Sequence, residues 1–273
     1  MHLVWLALGY VATAVAINLG LYGWRRRMLQ QAAAANLLEP LGLLSACWAF
    51  LIECTALGAV VLLIPFGWLW PPWPLQGAGR GAVVLLHGWG TNRGAMWLLR
   101  SRLLRAGWGP VCCFEAHTLS LDIEGAAARL RTLLDRVAST SITPAPLIVV
   151  GFGIGGLVLR YYLRRYPAPR VRRVVTLGTP HRGTAVARAL GPFARALVPR
   201  SAFLRRLNAG DRLPEQFDVV ALHSTFDATV LPLECALYPG AFNAQFSEIG
   251  HFSLLFSAKV FRVLRENLAA PLA

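Results

Sequence analysis

The apolar positions divide the chain in two. Residues 3–23 and 41–70 are long apolar runs with almost no charge inside them. From residue 80 onward, short apolar runs alternate with stretches of helical period. A short apolar run bounded by turn formers reads as a buried strand, and a 3.6-residue period reads as an amphipathic helix. Strands are therefore expected at 82–86, 109–114, 147–150, 171–177, 219–223 and 243–246. Helices are expected at 93–105, 123–138, 157–166 and 252–268. Alternation of this kind makes a mostly parallel sheet with helices on both faces, an α/β fold. Ligands of such sheets sit at the carboxyl ends of the strands.

The first long run carries no formal charge, and its length meets the ~20 residues a membrane span needs. Trp5, Tyr10, Tyr22 and Trp24 lie near its ends, as interfacial aromatics do. The basic cluster Arg25, Arg26, Arg27 follows the run instead of preceding it, which reads as an anchor and not a signal peptide. The second run has one charge, Glu53, and ends in FGWLWPPWP. Together they predict a two-helix transmembrane hairpin over residues 1–75, a short linker, and a domain over 80–273. The arginines between the helices predict a cytoplasmic loop, two passes, and a domain on the non-cytoplasmic (periplasmic) side. Arg80, just beyond the second helix, counts the other way. A carboxyl in mid-membrane is costly, and Asn18 lies at a depth to receive a hydrogen bond from Glu53. That arrangement is a protonated acid joining two helices.

Composition adds a partner class. The chain is 56% apolar, with mean hydropathy +0.51 and net charge +14. Lys259 is the only lysine, so arginine carries the charge. Such a bias arises from genome composition or from attraction to acidic surfaces. No nucleic-acid motif accompanies it, so lipid is the expected partner and nucleic acid is not. The five cysteines have neither metal spacing nor the pattern of a disulfide framework. No cofactor or metal is expected.

Residues 147–162, LIVVGFGIGGLVLRYY, read as strand, tight turn and helix. Two chemistries share that pattern. Gly151, Gly153 and Gly156 fit a phosphate-binding G-x-G-x-x-G. Alternatively the turn is a nucleophile elbow, G-x-S-x-G, with Gly153 at the serine position. A dinucleotide site wants a carboxylate at the end of the next strand. That strand ends Thr176-Leu177-Gly178-Thr179. Dinucleotide binding through residues 151–156 stays as the remote alternative.

The strand-end stretches, taken in order, decide for the elbow. They are VVLLHGWG, VVGFGIGGLVLRYYL, VVTLGTPHRGT, the turn Asp227-x-x-Val230-x-Pro232, and Gly250-His251. In this order they resemble the α/β-hydrolase family, and within it bacterial lipases and esterases. The resemblance runs from residue 83 to about residue 268. The family's chain order is nucleophile, acid, histidine, which implies Gly153, Asp227 and His251. It implies that His251 is the general base and that Asp227 orients it. The backbone N–H groups of Trp89 and Ile154 would form the oxyanion hole. His87 would anchor the oxyanion loop, and His181 would shape the site rim. Asp218 precedes its strand and sits at the wrong end of the sheet. Residues 184–212, where arginine and apolar residues alternate, correspond to the lid that lipases open on lipid.

The departure from the family is Gly153. Residues 147–160 hold no Ser, Thr or Cys, and Ser224 follows another strand. A residue with a Cβ at a strained elbow costs ~1–3 kcal/mol, which glycine avoids. Glycine therefore removes the chemistry and relaxes the turn together. Two functions stay open. One is a membrane-anchored lipase- or esterase-like hydrolase of acyl lipids, inactive or impaired as written. The other is a non-enzymatic module that holds an acyl lipid or a protein partner in the old pocket.

Overall fold

The computed structural model describes residues 2–31, 42–75, 79–115, 121–140 and 147–270. Two long helices open the chain, α1 (His2–Gln31) and α2 (Leu43–Leu69). The helix α1 runs past the expected end at residue 23, so Arg25, Arg26 and Arg27 lie on it and not in a loop; residues 32–41, part of the expected linker and the side chains of Trp5 and Tyr10 lie outside the described residues. Strands and helices then alternate: β1 (Val83–Leu86), α3 (Trp97–Arg105), β2 (Val111–Phe114), α4 (Ile123–Thr140), β3 (Leu147–Phe152), α5 (Ile154–Arg165) and β4 (Val171–Leu177). After β4 come α6 (Ala202–Asn208), α7 (Leu213–Gln216), β5 (Asp218–Ser224), β6 (Phe242–Phe246), α8 (Ser253–Phe256) and α9 (Ala258–Ala269). Each strand and helix expected from residue 80 onward is present. The expected closing helix is split in two, because the Ser257 hydroxyl accepts from Val260 N and starts α9 afresh.

The sheet has the order β2-β1-β3-β4-β5-β6, and every pairing is parallel. Strand alternation divides the side chains between two cores. Val84, Leu86 and Val149 join Leu130 of α4 and Leu157 of α5 on one face. Val83, Leu85, Ile148 and Val150 join Leu99 and Leu103 of α3 and Leu264 of α9 on the other. Burial of one such side chain contributes roughly 1.5–3 kcal/mol. Burial on both faces explains why β1 and β3 are unbroken apolar runs. From β1 the chain moves outward to β2, and from β3 it moves the other way to β4. The crevice between the carboxyl ends of β1 and β3 is therefore the topological switch point.

Asp218 begins β5, at the far end of the sheet from that crevice. Its carboxylate accepts from Arg173 Nε at 2.7 Å, and Arg173 also donates to the Asn267 and Ala270 carbonyls. The pair ties the edge of β4 to β5 and the end of α9, a structural role.

The helices α1 and α2 both touch the part of the chain that carries the sheet. One face of α2, which includes Ala49, Glu53, Ala56, Leu57, Val60 and Gly67, is buried, and Val60 joins the core beside α3 and α9. Asn92 Nδ2 donates to the Ile64 carbonyl at 2.8 Å, and Arg93 donates to the Trp70 carbonyl at 2.5 Å. A Cβ on Gly67 would lie 2.2 Å from Asn92 Oδ1, so glycine is what lets the loop approach the helix. From α1, Tyr22 Oη donates to the Phe226 carbonyl at 2.9 Å and Arg25 to the Thr225 carbonyl at 2.6 Å. Small residues on α2, such as Ala49, Ala56 and Gly67, lie on the face buried against the rest of the chain. Asn18 hydrogen-bonds the Cys54 thiol, and Glu53 turns toward the segment after His251. The opposite face of α2 exposes Leu43, Leu44, Trp48, Leu51, Leu62, Trp68 and Leu69. This helix is long and apolar enough to cross a membrane.

Candidate active site

The turn between β3 and α5 is built by close backbone approaches. A Cβ on Gly151 would lie 2.6 Å from Gly156 Cα, and one on Gly155 would lie 2.7 Å from the Leu86 carbonyl oxygen. A Cβ on Gly156 would lie 2.0 Å from Thr179 Oγ1. Packing of helix on strand accounts for these three glycines without a phosphate. Gly153 differs. It has φ +54° and ψ −122°, yet a Cβ there would meet only ordinary contacts, His251 Nε2 at 3.4 Å and Gly88 Cα at 3.7 Å. The backbone at 153 thus aims a side chain at the His251 imidazole.

His251 and Asp227 are brought together. His251 Nδ1 lies 2.6 Å from Asp227 Oδ2. Asp227 Oδ1 accepts from Thr229 N at 2.7 Å, Thr229 Oγ1 at 2.8 Å and Val230 N at 3.1 Å. The Phe152 ring packs on the imidazole with centroids 4.7 Å apart. Burial opposes charging His251, but the Asp227 carboxylate, its hydrogen bond and the charge of Glu53 outweigh it, so its pKa is raised. Burial likewise opposes the Asp227 carboxylate, yet the His251 charge and the donors of His251 and Thr229 hold its pKa below the usual value. Nε2 of the histidine is left facing residue 153, as a general base requires.

A raised histidine stabilises the fold while it is protonated. Its contribution is full below the unfolded value near 6.5 and fades as pH rises through the higher folded value. The melting temperature of wild type minus that of His251→Gln should accordingly shrink as pH climbs above about 6.5. A difference that stays flat from acid to alkali would contradict the pairing.

A cavity of about 270 Å³ opens on this dyad. Gly88, Trp89, Gly153, Ile154 and His251 reach it from the strand ends, and Val186, Leu190 and Leu197 from the 184–212 segment. Ile17 and Leu21 of α1 and Leu57 of α2 complete the wall. The lining is almost wholly apolar. Ile154 is the first residue of α5, whose leading N–H groups have no intrahelical acceptor. Trp89 packs against Phe193 at 5.9 Å, which joins the 184–212 segment to the loop after β1. That segment folds as two 3-10 turns, Ala185–Arg188 and Pro192–Leu197, followed by α6.

The other candidates have structural places. His87 Nδ1 lies 2.9 Å from the Gly88 carbonyl oxygen, within the loop it was expected to anchor. His181 is not on a rim. It is buried, with Nε2 3.1 Å from Thr176 Oγ1 and its ring stacked on Tyr238. Burial, Arg160 and His223 push its pKa well below the ordinary range. Ser224 Oγ donates to the Phe246 carbonyl at 3.0 Å. Sequence reasoning missed Thr229, although Asp-x-Thr can be read as an Asx turn. It also missed Ile17, Leu21 and Leu57, for which no local signal exists.

The parallel sheet, the turn at 153 and the Asp227–His251 pair define the class: the chain has the α/β-hydrolase fold. Comparison with solved structures agrees. The chain is similar to the mature lipase BlEst2 of Bacillus licheniformis at 18% identity and TM-score 0.61, over 73% of this chain and 96% of that one. It is similar to lipase B of Aspergillus fumigatus at 17% identity and TM-score 0.61, over 72% of this chain and 54% of that one. A bromoperoxidase from Bacillus anthracis matches at 18% identity and TM-score 0.53, over 71% of this chain and 94% of that one. No family profile and no curated protein matches the sequence. At these identities the likeness carries the fold and not an activity.

Proposed function

We propose that this protein is an esterase-type α/β-hydrolase by descent that holds an acyl ester or acyl lipid beside His251. With glycine at the elbow it forms no covalent acyl-enzyme. The observation that carries this reading is the Cβ direction of Gly153, 3.4 Å from His251 Nε2. In the serine form, His251 would take the hydroxyl proton as the oxygen attacks the acyl carbon, and would return it to the leaving alcohol. The N–H groups of Trp89 and Ile154 would receive the oxyanion. Those groups need no side chain at 153, so ligand binding survives the loss of the nucleophile.

Membrane association belongs to the same reading. The α2 residues Leu43, Leu44, Trp48, Leu62, Trp68 and Leu69 are exposed together, the kind of apolar face that marks an interaction surface, and the arginine-rich charge suits anionic lipid. The sequence favoured two passes with a periplasmic domain. The contacts of Arg25 and Trp70 with the same domain support a hairpin lying along it, its outer face in the bilayer.

Acyl binding is tested with a fluorescent fatty-acyl probe on the detergent-purified full chain. Saturable binding is expected, together with its loss in Leu57→Trp, which fills the cavity from α2. Absence of saturable binding by the folded wild type would refute the acyl site.

A further inference from the structure

Glu53 is 2% exposed on the buried face of α2. Its Oε1 accepts from Phe252 N at 2.8 Å. Its Oε2 accepts from Ser253 N at 2.9 Å and from Ser253 Oγ at 2.6 Å. The two backbone N–H groups can only donate, so the Glu53 carboxyl serves them as acceptor through both of its oxygens. On the other side of His251, a Cβ at Gly250 would lie 2.3 Å from Glu53 Cδ, so only glycine lets the loop settle on this side chain. The carboxyl thus embraces His251 from both flanks in the chain. The acid loop is held from the same hairpin. Tyr22 and Arg25 donate to the carbonyls of Phe226 and Thr225, immediately before Asp227, and the Tyr22 and Phe226 rings lie 4.7 Å apart.

We propose that Glu53 is a positioning residue for His251, so that the N-terminal hairpin, together with the domain, sets the dyad in register with residue 153. The physical reason is the loop itself. α8 spans only four residues, and neither Phe252 N nor Ser253 N can find an acceptor within so short a helix. Without Glu53 the turn would keep its own backbone bonds from Leu254 and Leu255, but the N–H groups of Phe252 and Ser253 would lose their tie to α2, and with it the fixed seat from which His251 makes its 2.6 Å contact with Asp227. Glu53 supplies the missing acceptors at the N-terminal end of α8. The groups that face His251 with charge are Asp227 from the loop after β5 and Glu53 from α2.

The inference rests on His251 being the base of the proposed hydrolase site, but its test does not require turnover. The full chain in detergent micelles, with Gly153 in place, is compared with Glu53→Gln by amide hydrogen exchange and by nitrogen-15 NMR titration of the His251 ring. Glutamine keeps the shape and turns one acceptor into a donor that faces a donor. Exchange at Phe252 and Ser253 should quicken about tenfold or more, as expected for loss of charge-assisted bonds. Exchange in β3 should be unchanged, and the His251 pKa should fall because a negative neighbour is gone. Unchanged exchange at 252 and 253, or an unchanged His251 titration, in a folded Glu53→Gln protein would overturn the proposal. If that variant fails to fold, Ser253→Ala removes one of the three bonds and carries the test. Faster exchange at 252 and 253 supports the proposal, and wild-type exchange overturns it. In a Gly153→Ser background the same Glu53→Gln change should lower kcat and leave KM unchanged. Failure of Gly153→Ser to hydrolyse any ester would count against the hydrolase reading while leaving the exchange and titration results to decide the role of Glu53.

Discussion

Gly153→Ser is expected to react with a serine-directed fluorophosphonate and to hydrolyse a short-chain aryl ester, where the wild type does neither. The new Cβ would sit 3.4 Å from His251 Nε2, with no contact tighter than ordinary van der Waals approach. The base is already paired to its acid at 2.6 Å, and the flanking glycines already fix the turn. Removing the serine of a serine protease costs about 2 × 10⁶ in kcat. A gain of at least ~10³ over the wild type is therefore the expected scale for restoring it in an unselected site. The gain should come with a stability loss of ~1–3 kcal/mol, because φ +54° with ψ −122° strains any residue that has a Cβ. Fluorophosphonate labelling of the wild type at another serine would sink the claim that the site lacks a nucleophile. A folded but silent variant would show that the remaining groups no longer act together.

The second large effect is Asp227→Asn in that same background. Asp227 Oδ2 fixes the imidazole through Nδ1, while Oδ1 is occupied by Thr229 and Val230. Asparagine can keep the Oδ1 bonds and present an N–H donor toward Nδ1, which forces the wrong tautomer. The equivalent change in a serine protease lowers kcat by about 10⁴. A fall of that order with little change in KM is expected here. A drop of less than about tenfold, against that ~10⁴, would mean that Asp227 does not orient the base. The two variants separate roles, since one adds the attacking atom and the other removes the group that holds its base.

The α/β core was legible because buried parallel strands write themselves as short apolar runs, and because each site residue follows one of them. Gly153, Asp227 and His251 were ordered by the resemblance of the strand-end stretches to the α/β-hydrolase family, and the structure brings Asp227 to His251 at 2.6 Å. What was not legible is what crosses between distant segments. Glu53 and Ser253 are 200 residues apart, and no local period marks that meeting. The second apolar run was read only as a membrane helix packed on the first, because hydropathy does not distinguish a neighbour's core from a bilayer. His181 was misplaced on a rim for a related reason. A histidine after a strand looks exposed until Tyr238, from a later loop, is seen to cover it.

The glycines of the 151–156 turn divide their work in a way that bears on how such sites change. Gly151, Gly155 and Gly156 are held by contacts that exclude any Cβ, whereas Gly153 is free of them. The turn's shape is therefore written into its neighbours, and residue 153 decides only which atom is offered to the histidine. The packing of the turn does not depend on residue 153, but its backbone does: at φ +54° a serine offers the attacking atom at a cost of ~1–3 kcal/mol that glycine avoids, so chemistry and stability pull in opposite directions at this one position.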